Sequence, residues 1–249
     1  MKRYDLIDTL RGLAIISMIA FHTCWLLNYF GMAISTQALY GPVFNIWERS
    51  ICISFILISG YCFSLGRHHL RSGLTVFGAG LVITLVTCIF LPGIRIVFGV
   101  LTFIGTAILI TIPVDRLAKD KCESSKMVCR LMLVLALAAF LFTYNINMGY
   151  LGFGWMRVDL PEGLYKGYIA TFMGFMEAGF VSADYFSLMP WYFLYLSGYA
   201  LHKVINDAVA DSRIMKMGIP GVKTLGRHSL LVYILHPVVI YLILFTLKH

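Results

Sequence analysis

Long uninterrupted apolar runs constrain this chain more than any other feature. They fall at residues 10–30, 44–65, 74–91, 97–114, 128–143, 188–204 and 229–247. A backbone in hydrocarbon must satisfy its own hydrogen bonds, and a helix of about 20 residues, rising 1.5 Å each, matches a core about 30 Å thick. The runs therefore predict an all-α, polytopic membrane bundle of seven spans, expected as one domain over residues 1–249. Composition agrees, with 59% apolar and 13% charged residues and a mean hydropathy of +0.83. In a soluble globular domain about a quarter of residues are charged.

An eighth span at 165–180 is possible by hydropathy, but it is short, contains glycine and carries Glu177. The placement of positive charge decides between seven and eight. With Lys2 and Arg3 inside, the inner connections 67–71, 116–126 and 203–227 hold most of the basic residues, and the outer ones 31–43, 92–96 and 144–187 are poor in them. An eighth span would put Lys203, Arg213, Lys216, Lys223 and Arg227 outside. Seven spans, a cytoplasmic N-terminus and an interfacial or re-entrant 165–180 segment are expected. The net charge of +8 then reads as a topology signal and not as a nucleic-acid surface. The six cysteines fall mostly within apolar runs without metal-type spacing and read as packing residues. The first run lacks a small-residue cleavage site and reads as a retained span.

That run also holds the clearest candidate chemistry. The eleven steps from Arg11 to His22 turn the helix through about three full turns and climb about 16 Å. Both side chains share a face, with the cation near the surface and the imidazole at mid-membrane. Asp8 lies on nearly the same face and could pair with Arg11 or cap the helix. His236 precedes Pro237 in the last run and lies at a depth close to that of His22. Ionisable groups inside a span are costly and mark function, although a buried imidazole can also serve only as a hydrogen-bonding partner. Ser59, Gly60 and Tyr61 suit close helix packing, with Tyr61 able to reach a polar partner. Arg67, His68, His69 and Arg71 form a basic cluster that attracts lipid headgroups or grips a phosphorylated ligand. Arg227 and His228 can serve as interface anchors. The long 144–187 loop, rich in Tyr, Trp, Gly and Asn, suits either a sugar or an aromatic membrane belt. No Gly-rich phosphate loop or zinc-type histidine motif is present, and no metal is expected.

The Asp8-Thr-Leu-Arg11-Gly lead-in with Arg11 and His22 resembles the transmembrane acyltransferase superfamily. Within it the chain is most similar to bacterial relatives of the heparan-α-glucosaminide N-acetyltransferase catalytic domain. The further matching stretches are Ser59-Gly60-Tyr61, Phe98 to Gly105, Ser182 to Trp191 and Gly226 to Pro237, in family order. The resemblance implies acetyl-CoA, or another short acyl-CoA, as donor and a glycan amine or hydroxyl on the far side as acceptor. It implies His22 as the catalytic histidine and Arg11 as a ligand of the CoA phosphates. His236 is expected beside His22, with Arg67, Arg71 and Arg227 supporting the donor and Asp184, Trp191 and Tyr61 on the acceptor side. The pattern departs at Thr102, where relatives often carry histidine. A bacterial cytoplasmic membrane, contact with lipid and a possible homodimer complete the expectation. The rival class is a small transporter or proton-coupled channel using His22, His236 and Arg11, and a third is a structural subunit without chemistry.

Overall fold

The computed structural model describes residues 4–209 and 212–248, without the side chains of 119–121, 123, 124 and 206–209. Lys2 and Arg3, the first of the topology charges, lie outside the described residues. Eleven helices are described: α1 (Asp5–Tyr29), α2 (Thr36–Leu39), α3 (Pro42–Phe63), α4 (His69–Phe90), α5 (Val100–Ser124), α6 (Lys126–Thr143), α7 (Tyr168–Met173), α8 (Leu188–Val209), α9 (Arg213–Lys216), α10 (Val222–Arg227) and α11 (Ser229–Lys248). The two short strands β1 (Tyr150–Leu151) and β2 (Val158–Asp159) pair antiparallel. The expected all-α polytopic class is the one observed.

Six of these helices are long and apolar enough to cross a membrane among the described residues: α1, α3, α4, α5 over Val100–Ala118, α6 continuing to Met148, and α11. The seventh expected run forms α8, which is long enough at 22 residues but mixes leucines with Tyr192, Tyr195, Tyr199, His202 and Lys203. Tyr195 and Tyr199 are fully buried and His202 nearly so. A helix that turns its polar groups toward protein need not be apolar all round. The 165–180 segment forms only the six-residue α7, far short of the length a span requires.

Contacts divide the chain into two compact units, one of Met1–Ile58 with Asp207–His249 and the other of Ser59–Asn206. In the first, α1 packs on α10 and α11. One apolar cluster gathers Ile15, Met18 and Ile51 with Trp47, Phe55 and Val232, and a second gathers Leu26, Phe30 and Leu244 with Trp25 and Tyr241. Trp47 Nε1 donates to Ser17 Oγ at 2.8 Å, tying α3 to α1. α10 lies directly on the backbone of α1, since a Cβ on Gly226 would overlap the Asp8 carbonyl and one on Gly12 would overlap that of Val222.

In the second unit α4 and α5 form the largest helix contact. Gly80 faces Thr102 and Gly105 faces Phe77, and each glycine admits the opposing backbone. Thr102 is therefore a packing residue of this crossing, buried with its hydroxyl unpaired. The expected close approach at Gly60 is present, because a Cβ there would overlap the Tyr195 carbonyl of α8. One expectation fails here. Cys122 and Cys129 form a pair, with Cα atoms 5.5 Å apart. The break at Ser125 between α5 and α6 folds the chain back far enough to bring them within bridging distance. Cys24 and Cys88 are free thiols.

Candidate functional site

α1 begins at Asp5, five residues before the apolar run that announces it, so its first turns carry Asp5 and Asp8. Asp8 neither caps the helix nor pairs with Arg11. Its Oδ2 accepts from Arg227 Nε at 3.0 Å, while Asp5 accepts from Arg227 at 2.9 Å and from Lys223 at 2.6 Å. α10 supplies both cations, and its close seating on α1 brings them within reach. The Asp8 carboxylate, with Asp5 behind it, raises the pKa of the Arg227 guanidinium above its ordinary value. Arg227, expected beside the donor phosphates, is thus already committed to two carboxylates.

Arg11 takes a different partner. Its guanidinium donates to the Ser229 hydroxyl at the start of α11, and Ser229 is buried. The serine carries no functional signal in the sequence beyond its place in the Gly226 to Pro237 stretch. No carboxylate neutralises Arg11 among the salt bridges of the described residues. A guanidinium whose charge is not matched by an acid is suited to hold a phosphate.

About 16 Å farther along α1, the structure brings His22 and His236 together. Their ring centroids are 5.0 Å apart with the planes at 70°. The pair lies between the two apolar clusters, flanked by the edge of Phe21 on His22 and the ring of Tyr233 on His236. His236 is 6% exposed, and its Nδ1 lies 3.1 Å from the Val232 carbonyl oxygen. A carbonyl can only accept, so Nδ1 carries the proton in the neutral ring and Nε2 is left as an acceptor. That Nε2 is buried without a hydrogen-bond partner. Pro237 follows within the helix and removes the N–H that would have bonded the Tyr233 carbonyl. His22 is only partly buried by protein. Two imidazoles with an unused acceptor nitrogen, set in an apolar span, can take up and return a proton.

The remaining expected residues lie in the second unit. Arg67 and Arg71 are exposed around the start of α4. Asp184 Oδ2 accepts from the backbone N–H of Val100 at 3.1 Å and so anchors the start of α5. Trp191 packs on Phe186 and Phe140, with centroids 5.1 and 5.9 Å away. Tyr61 is buried edge-on against His202 at 4.8 Å. A charged cluster in this unit belongs to no sequence motif. Asp115 Oδ1 accepts from Tyr199 Oη at 2.5 Å and lies 3.2 Å from Lys203 Nζ. An acid and a base near the ends of two expected spans are its only signal in the sequence. Among the described residues no group of three or more His, Cys, Asp or Glu could hold a metal ion.

A family model for the heparan-alpha-glucosaminide N-acetyltransferase catalytic region matches residues 3–238, spanning both units. No curated protein and no solved structure matches the chain.

Proposed function

Because the chain belongs to the heparan-α-glucosaminide N-acetyltransferase catalytic family, and is thereby a membrane acyltransferase, we propose that it moves an acetyl or other short acyl group from acyl-CoA to a sugar amine or hydroxyl across the bilayer. The observation that carries this reading is the His22–His236 pair at 5.0 Å, set along the same helix from an arginine that no acid among the described residues neutralises.

In the proposed reaction Arg11 holds a CoA phosphate at the cytoplasmic mouth, and Arg67 and Arg71 are carried as donor-binding cations of the second unit. The pantetheine arm extends along α1 and presents the thioester at His22. The acceptor amine or hydroxyl attacks the thioester carbonyl while an imidazole nitrogen of His22 removes its proton. The C–S bond then breaks, and the imidazolium returns the proton to the departing CoA thiolate. In a two-step variant the His22 nitrogen itself attacks, releases CoA and passes the acyl group to the acceptor. His236, with Nδ1–H fixed on Val232, would keep Nε2 as an acceptor and orient His22. Asp184, Trp191 and Tyr61 are carried as acceptor-side residues.

Acetyl-CoA binding to the protein purified in detergent tests the donor site. Wild type should bind, Arg11→Ala should lose about tenfold or more in affinity, as expected for a charge-assisted phosphate contact of about 1.5–3 kcal/mol, and a folded His22→Ala should bind as wild type does. A well-folded wild type that binds neither acetyl-CoA nor CoA overturns the proposal.

A further inference from the structure

The second unit carries one surface that the acyl-transfer reading leaves unused. Six residues after α6 the chain enters the β1–β2 hairpin, whose tip presents Phe153 at 50%, Trp155 at 93% and Met156 at 50% exposure. Water-facing loop tips are normally polar, and three adjacent large apolar side chains at one tip require a partner.

The hairpin is held rigidly at one height. Gly152 N donates to the Phe142 carbonyl at 2.6 Å, and Asn145 Nδ2 donates to the Gly152 carbonyl at 3.1 Å. Leu160 N closes the base on the Gly149 carbonyl at 2.8 Å, and the Phe153 ring stacks on Tyr144. Gly152 takes φ +74°, and a Cβ there would overlap the Met156 carbonyl, so the fold at the tip depends on glycine. These bonds fasten the tip to the last turn of α6. With 18 residues, α6 is about 27 Å long, close to the thickness of the hydrocarbon core. A helix of that length, on a candidate span that continues to Met148, brings its last turn toward one edge of the hydrocarbon core.

The apolar surface is continuous below the tip. Leu131, Val134, Leu135 and Leu141 of α6 are each more than half exposed. An apolar groove of about 390 Å³ runs between α6 and α8, lined by Leu131, Leu135, Ala139, Phe193 and Leu196 among others. In a spanning helix such a face meets lipid. The charged pair beside the tip is self-contained, with Arg157 Nε 2.7 Å from Asp159 Oδ1 and its guanidinium over the Tyr150 ring. A sugar stacked on Trp155 would need free polar groups at the ring edge, and this pair does not supply them. Tryptophan, in contrast, is the side chain most at home between headgroups and acyl chains.

We propose that the β1–β2 hairpin is an interfacial anchor, with Trp155, Phe153 and Met156 inserted among the lipid headgroups at the end of α6. Its partner is the lipid surface itself, and the anchor fixes how the long loop that follows lies over the membrane.

A protein retaining Trp155 alone, with Trp25, Trp47 and Trp191 changed to Phe, is placed in phosphatidylcholine vesicles. The Trp155 emission should shift to the blue relative to the same protein in urea. It should lose most of its intensity to a nitroxide on the lipid headgroup, less to a nitroxide deep in the chain, and little to aqueous iodide. If the triple variant misfolds, the difference spectrum between wild type and Trp155→Phe gives the same reading, because so exposed a side chain supports little else. Red emission quenched by iodide and indifferent to lipid nitroxides overturns the anchor. Protection from iodide that appears only at high protein density assigns the tip to a second copy and also overturns it. Protection that requires added amino sugar assigns it to the acceptor, with the same consequence.

Discussion

At the Asp5 end of α1, Asp5, Asp8, Lys223 and Arg227 neutralise one another within 3.0 Å, whereas farther along the same helix, past its middle, His22 and His236 meet ring to ring with one nitrogen unused. Ion pairs at a partly exposed rim contribute little stability and are screened by salt. A polar atom buried without a partner costs stability and persists where something else requires it. The rim is thus built as structure, and the proposed reaction places its chemistry at the histidine pair, with Arg11, joined to the Ser229 hydroxyl, standing between them.

The largest expected effect separates the two levels directly. Replacing His22 by Ala should lower acyl transfer by about 10²–10⁴-fold, the usual contribution of a general base, with thermal unfolding unchanged. His236→Phe should cost about 10²-fold through misplacement of His22, seen in kcat with acyl-CoA affinity kept. Transfer of radiolabelled acetyl from acetyl-CoA to a panel of amino sugars in proteoliposomes measures both. Equal and parallel losses of Tm in the two variants would break the comparison by making the pair structural.

A smaller effect tests the rim. Gly226→Val should destabilise the protein by about 1–3 kcal/mol, because the new side chain must displace the Asp8 carbonyl. A lower Tm in detergent, with acetyl-CoA affinity of the folded fraction kept, would place the damage in the α1–α10 seat. No change in Tm would mean that α10 does not seat on α1 as described. The smallest effect belongs to Lys223→Met, which removes one ion pair and leaves Arg227 to hold both acids. Its loss of Tm should fall below that of Gly226→Val and shrink further as salt is raised, because only screened attraction is lost.

Much of this architecture is legible in the residues alone. The apolar runs set the class, and the helical period places Arg11 and His22 on one face of α1. Charge distribution also reduces the 165–180 segment to a loop piece, where the structure has only α7. Two features are not legible in this way. The start of α1 lies five residues ahead of its apolar run, because Asp5 and Asp8 look like solvent residues until the cations of α10 are placed beside them. The polar face of α8 passes for part of an ordinary span, because hydropathy averages over a helix and does not record which side meets protein.

The sequence by itself determined that this chain crosses membranes as helices and that His22 sits deep within the first of them, since both follow from local period and transfer free energy. Only the tertiary structure decided that His236 faces His22, that Arg11 takes Ser229 while Arg227 takes Asp8, and that Asp184 holds the start of α5. These are pairings across long stretches of chain, set where surfaces approach closely at Gly12, Gly226 and Gly99, and such approach is a property of packed surfaces that no local pattern encodes.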